Sequence, residues 1–329
     1  MNQIKSKTKI IVSSGDVNGI GLEVFLKGIS TFLETSDSEV SLCINPNVLK
    51  KYAELCDFNI KSDNNLNFKI IDTGFECKIN LGKQTKESGM TAKKSIEMAT
   101  GLLLDGEYDA IVTLPISKKA VQMAGWQFPG HTEYFASLFT SLLPGNHYNM
   151  ILTHKNMRVI PLTIHEPIKN IPNLITQELI INKIKSFNNS LFIDFAIKKP
   201  KIAVLGLNPH AGENGSIGIE EINIINPAIK MLQNAGIDAS GTFPSDGFFG
   251  FGEYKKYDGI VSMYHDQGLI PLKLLSNGAG VNITSGLPII RTSPDHGTGF
   301  AIAGKGQANA DSFVESMRVA EQIFLNRKI

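Results

Sequence analysis

Short apolar runs alternate along this chain with longer stretches in which apolar residues recur every three or four positions. The runs Lys9 to Ser13, Val40 to Ile44, Phe68 to Asp72, Asp109 to Leu114, Met157 to Ile164, Lys201 to Leu207 and Gly259 to Met263 have the length and β-branched content of buried strands. Helical periodicity covers Ile20 to Leu33, Ala92 to Leu104, Glu133 to Leu142, Gln177 to Phe187, Ile219 to Ala235 and Ser312 to Phe324. Strand and helix in alternation predict an α/β fold, a mostly parallel sheet covered on both faces. Asn188-Asn189-Ser190 and Asp63-Asn64-Asn65 read as solvated loops.

Composition narrows the function. At 329 residues and 42% hydrophobic content the chain can bury a large core and form two domains. Its 32 basic and 31 acidic residues are interspersed, so no basic stripe offers itself to nucleic acid. No run is long enough to span a membrane, and the polar Met1 to Lys9 does not resemble a secretory signal, so a cytoplasmic protein is expected. Cys43, Cys56 and Cys77 are widely spaced and odd in number, which fits reduced thiols without a function.

Candidate chemistry is densest between Asp258 and Gly306. The run Gly259 to Met263 delivers Tyr264-His265-Asp266-Gln267 at its carboxyl end, where an open α/β sheet keeps its ligands. Downstream come Lys273, Asn282, Arg291, Asp295 and His296, among glycines and prolines that let backbone approach a ligand. Gly299 to Lys305 has P-loop spacing, but Gly306 stands where the magnesium-binding Ser or Thr belongs, which rejects that motif.

Earlier segments add to this. Ser14 to Gly21 is a glycine-rich turn between strand and helix, either a pyrophosphate seat or a tight βα turn in which Asp16 caps amides; GxGxxG occurs nowhere. Thr132 is placed as an N-cap, with His131 beside free amides that suit a phosphate. His165, His210 and His265 each follow a predicted strand. Their spacing excludes a zinc finger or an HExxH helix, yet strand ends of one sheet can converge, and three imidazoles with an open position suit a catalytic divalent ion. Glu213, Asp246 and Asp266 are candidates to orient those ligands.

The segments GDVNGIGLE (15 to 23), TLPISKKA (113 to 120), FPGHTEY (128 to 134), LTIHEP (162 to 167), LNPHAGENG (207 to 215), YHDQGLIPLK (264 to 273) and VNITSGLPIIRTSPDHGTGFAIAGKG (281 to 306) together resemble the 4-hydroxythreonine-4-phosphate dehydrogenase family, PdxA, of vitamin B6 biosynthesis. Val17 and Leu22 stand where that family usually has proline, and Ser285 where it has leucine. The resemblance implies the isocitrate and isopropylmalate dehydrogenase-like fold, two αβα domains with the active site in the cleft between them. Residues 1–127 plus 278–329 would form the first domain, on the cofactor side, and 128–277 the second, with the metal ligands and dimer interface.

It further implies metal ligation by His165, His210 and His265, substrate contacts from His131, Thr132, Lys273, Asn282 and Arg291, and a cofactor lying against His296, Gly297, Thr298, Gly304 and Lys305. The expected cofactors are NAD, or NADP, and one divalent zinc, cobalt or magnesium ion per site. The expected assembly is a homodimer whose metal takes two histidines from one chain and the third from its partner. The reaction implied is NAD-dependent oxidation of 4-phosphooxy-L-threonine with decarboxylation; the alternative is a paralogue acting on threonate or erythronate 4-phosphate. The residues do not identify a general base.

Overall fold

A computed structural model describes residues 7–58, 67–139 and 148–328. The chain divides into two compact units, Met1–Leu138 with Pro288–Lys328, and Phe139–Leu287.

The first unit is built from β1 (Lys9–Ser13), α1 (Gly21–Leu33), β2 (Glu39–Cys43), α2 (Pro46–Leu55), β3 (Lys69–Ile71), α3 (Lys86–Leu104), β4 (Ala110–Thr113), α4 (Lys118–Met123) and α5 (His131–Leu138). Its strands run parallel in the order β3-β2-β1-β4, and the cores of β1 and β4 are buried on both faces, which explains their continuous apolar runs.

The second unit contains β5 (Asn149–His154), β6 (Met157–Thr163), α6 (Ile171–Leu174), α7 (Gln177–Ile193), β7 (Lys201–Leu205), α8 (Asn226–Asn234), β8 (Asp238–Phe243), α9 (Ser245–Gly250), β9 (Gly259–Tyr264), α10 (His265–Ser276) and β10 (Val281–Ser285). The order is β10-β5-β6-β9-β7-β8, parallel from β6 to β8 and antiparallel where β5 joins β6 and β10. The chain then returns to the first unit as β11 (Arg291–Pro294), parallel to β4, and α11 (Asp311–Arg327), whose Phe313, Met317 and Ala320 are buried.

Both crossings fall about ten residues beyond 127/128 and 277/278. Two local causes account for the shift. Trp126, Phe128, Tyr134 and Phe135 form one aromatic cluster, which binds α5 to the first unit. β10 pairs with β5 along five residues, which keeps Asn282 in the second.

Other expectations change locally. Asn188, Asn189 and Ser190 lie inside α7, where Ser190 is buried: the amphipathic stripe through Phe187 and Leu191 overrides their turn preference. The segment Ile219 to Ala235 is not one α-helix. A π-helical turn, Glu221–Ile225, precedes α8, and Pro227, which lacks an N–H, stands in the first turn of α8. Asp63-Asn64-Asn65 and the end of the helix expected to Leu142 lie outside the described residues. Val17 and Leu22 are wholly buried, so both side chains serve the core.

Candidate active site

Strand register explains why two of the histidines meet. β6 and β9 are parallel with Thr163 opposite Tyr264, and the Thr163 hydroxyl donates to the Met263 carbonyl at 2.8 Å. His165 and His265 follow directly, and their ring centroids stand 6.0 Å apart. His265 follows β9 directly as the first residue of α10. Its Nδ1 lies 2.8 Å from Asp266 Oδ1, a contact that leaves Nε2 available to accept a proton or a metal ion. The donor chemistry therefore fits a divalent ion of the zinc or cobalt kind.

His210 sits on the loop after β7, whose backbone is unusual. His210, Ala211, Gly212, Glu213 and Asn214 all have left-handed dihedrals, with φ between 44° and 82°. For a residue bearing a Cβ that conformation costs on the order of 1–2 kcal/mol, so the loop must be held by its surroundings. Among the described residues no three His, Cys, Asp or Glu side chains are gathered about one point in the single chain. Asp246 and Glu213 are exposed.

The first unit holds a different chemistry. Arg291, the first residue of β11, is 3% exposed, and its Nε and Nη2 donate to Thr113 Oγ1 at 3.1 and 2.8 Å. Burial pushes its guanidinium down to about 10, with Glu133 opposing the fall, so it remains a cation at neutral pH. His131 opens α5, and its Nε2 is sealed from solvent with no hydrogen-bond partner among the described residues. Burial first, and the Arg291 charge second, hold its pKa well below 6.5, so the ring is neutral at physiological pH. Thr132 does not cap the helix. The Gly130 carbonyl accepts from Tyr134 N, which starts α5 two residues earlier and puts Thr132 in the first turn. A buried cation, a sealed imidazole nitrogen and a helix N-terminus together make a seat for an anion.

The glycine-rich turn is the tight βα turn. Asn18 N donates to Asp16 Oδ1, Asp16 N to the Pro115 carbonyl and Ile20 N to the Thr298 carbonyl, so these amides are used internally and not left for a pyrophosphate. The turn instead seats the segment from His296 to Gly306. Lys27 Nζ donates to the Gly306 and Ala308 carbonyls at 2.9 and 3.0 Å, while buried Glu23 accepts from Ala308 N at 2.8 Å. A Cβ at Gly297 or Gly306 would meet open space, so the segment offers bare backbone to a flat ligand. Of the other substrate candidates, Lys273 lies exposed on α10, and Asn282 of β10 has a buried Oδ1 without a partner among the described residues.

The profile of the family described as "Pyridoxal phosphate biosynthetic protein PdxA" matches residues 36–320. The chain belongs to the PdxA family. It is 40% identical to the 4-hydroxythreonine-4-phosphate dehydrogenase of Bacteroides thetaiotaomicron, covering 98% of this chain and 91% of the relative. With that of a Sulfurihydrogenibium species it shares 41% identity over 95% and 97% of the two chains. The crystal structure of the Klebsiella pneumoniae 4-hydroxythreonine-4-phosphate dehydrogenase superposes with a TM-score of 0.80 at 34% identity, over 97% of this chain and 100% of that one. A terephthalate 1,2-cis-dihydrodiol dehydrogenase of Burkholderia xenovorans, 23% identical with a TM-score of 0.63, has the same fold.

The PdxA family is thus one of oxidoreductases acting in B6 synthesis, and a nicotinamide cofactor goes with dehydrogenase chemistry. Among the described residues no helix is long and apolar enough to cross a membrane. Two PdxA residues that support the histidines carry no sequence signal of their own. Gln267 accepts from Met263 N at 2.6 Å and donates to the Gly206 carbonyl at 2.6 Å and to Ser245 Oγ at 2.8 Å, tying the ends of β9 and β7 together. Glu221 is 1% exposed and binds the backbone just before His210. An acidic residue on a helical pattern reads as solvated, and only tertiary contact reveals either role.

Proposed function

We propose that the protein oxidises the C3 hydroxyl of 4-phosphooxy-L-threonine with hydride transfer to NAD, the resulting β-keto acid losing carbon dioxide to give 3-amino-2-oxopropyl phosphate for pyridoxine 5′-phosphate synthesis. The observation that carries the substrate class is the buried Arg291 cation beside the sealed Nε2 of His131. A phosphate monoester offers that corner acceptor oxygens and a countercharge, with the guanidinium as fork and the Thr132 turn as a source of amide donors. Lys273 supplies a point charge for the carboxylate, and Asn282 a polar contact from β10.

His165, His210 and His265 would hold one divalent ion, with Asp266 orienting His265. Such an ion, when bound, lowers the pKa of the substrate hydroxyl and withdraws electrons during decarboxylation. The segment His296-Gly297-Thr298 to Gly304-Lys305, fixed by Ile20 and Lys27, would hold the nicotinamide cofactor against its open backbone. The working protein is a cytoplasmic homodimer that shares the metal site. Ile270 and Leu274, one turn apart, are 55% and 78% exposed and form an apolar ridge on the helix that begins with His265.

The test is turnover of 4-phosphooxy-L-threonine followed by NADH absorbance, with and without chelator, beside threonate and erythronate 4-phosphates. NADH should appear with the amino-acid substrate, stop with chelator and return with Zn2+ or Co2+. No NADH from any of the three sinks the dehydrogenase reading, and faster turnover of the aldonates reassigns the substrate.

A further inference from the structure

We propose that Glu221 is a positioning residue for His210: it holds the left-handed turn that presents the imidazole, without itself touching ligand or substrate. The inference rests on His210 being a metal ligand, as proposed above. Glu221 Oε1 accepts from Leu207 N at 2.7 Å and Asn208 N at 2.8 Å, and Oε2 accepts from Asn208 Nδ2 at 2.9 Å. The same Asn208 amide reaches Glu220 Oε2 at 2.8 Å. One buried carboxylate thus grips the strand exit two residues before the strained run begins.

The space around that carboxylate is cleared on three sides. A Cβ at Gly206 would stand 3.2 Å from Glu221 Oε1 and 3.0 Å from Ala211 Cα, one at Gly212 would stand 2.7 Å from Glu221 Oε2, and one at Gly218 would collide with the Asn208 side-chain amide. Glu221 itself opens the π-helical turn, a rare geometry that recurs at functional sites. The five successive left-handed residues, His210 to Asn214, begin two residues after the last backbone amide that Glu221 holds. Those dihedrals decide where the His210 ring points, and Glu221 is the group bonded to the backbone that leads into them.

Metal binding, read without turnover, separates positioning from folding. Metal-stripped full-length protein is titrated with Zn2+ against a chromogenic chelator, as wild type, Glu221→Gln, His210→Ala and the double variant, with a thermal melt of each. Gln keeps one acceptor oxygen and the side chain's size but loses the second acceptor and the charge. The expected result is a cooperative melt and Zn2+ affinity weakened on the order of tenfold by Glu221→Gln, with no further loss when it is added to His210→Ala. Wild-type affinity in Glu221→Gln, or the same loss in the His210→Ala background, overturns the inference. Wild-type affinity in His210→Ala fails the ligand assignment instead, and this inference with it. If Glu221→Gln does not melt cooperatively, Glu221→Asp takes its place. It keeps the charge but is one methylene shorter, which draws the carboxylate away from Leu207 N and Asn208 N, so a folded Glu221→Asp with wild-type affinity also overturns the inference.

Discussion

Replacing Arg291 by Met should make the protein more stable and nearly inactive. Met follows the aliphatic part of the side chain, ends level with Nε and carries no charge. Burial lowers the Arg291 pKa from its ordinary value to about 10, so the folded state carries a penalty of about 3 kcal/mol for keeping the guanidinium charged at neutral pH. The sign follows from proton uptake: between the folded pKa and the higher unfolded one the unfolded chain binds the proton more readily, and below that window the penalty is present in full. Met removes it, at the expense of the two bonds to Thr113, so the melting temperature should hold or rise. Activity should move the other way. Two charge-assisted hydrogen bonds to a phosphate are together worth roughly 3–6 kcal/mol, a loss of about a hundredfold to ten-thousandfold in kcat/KM. The decisive assay compares the variant with wild type on 4-phosphooxy-L-threonine and on unphosphorylated 4-hydroxythreonine, and adds melts in inorganic phosphate. Phosphate at a hundred times its Kd should stabilise wild type by about 2.7 kcal/mol and the variant not at all. Equal losses on both substrates, or an equal shift with phosphate, would refute the assignment of this corner to the phosphate group.

Two further outcomes are expected. Because His131 has its pKa held down in the fold, the unfolded chain takes up a proton first as pH falls below 6.5, and stability declines until the folded pKa is passed; His131→Asn should flatten that part of a melting-temperature profile against pH, and an unchanged slope speaks against a neutral buried ring. Mixing His165→Ala with His265→Ala under subunit exchange should return roughly a quarter of wild-type activity if those two ligands come from different chains, whereas no recovery, with exchange verified, assigns both to one chain, as their 6.0 Å spacing within it permits.

Legibility in the sequence followed how local the physics is. Strands with continuous apolar runs, such as β1 and β9, stand out because burial on both faces leaves nothing polar in them. β10 and β11 do not, since Asn282, Thr284, Arg291 and Ser293 interrupt the pattern for reasons of pairing and chemistry. The structure brings Arg291 and His131 into one electrostatic environment and His165 beside His265. The left-handed turn at His210 had no signal, because Ala and Glu do not favour such dihedrals, and the buried Glu221 that bonds the backbone leading into it comes from a segment later in the chain. The Asn188-Asn189-Ser190 loop failed for the opposite reason, a local preference outweighed by the packing of a long helix.

The first unit is assembled from two stretches of chain separated by 149 residues, Phe139 to Leu287, and this has a consequence for synthesis. Until β11 and α11 emerge from the ribosome, β4 has β1 on one side but lacks its second parallel neighbour, and Gly28 of α1 lacks Phe313, the side chain closest to it. At about 5–20 residues per second the intervening segment takes roughly 7–30 s to translate, long compared with the folding of an α/β domain. The nascent amino-terminal sheet therefore waits with an open strand edge and an uncovered helix face, a natural client for chaperones, while the second unit, continuous in the chain, folds first.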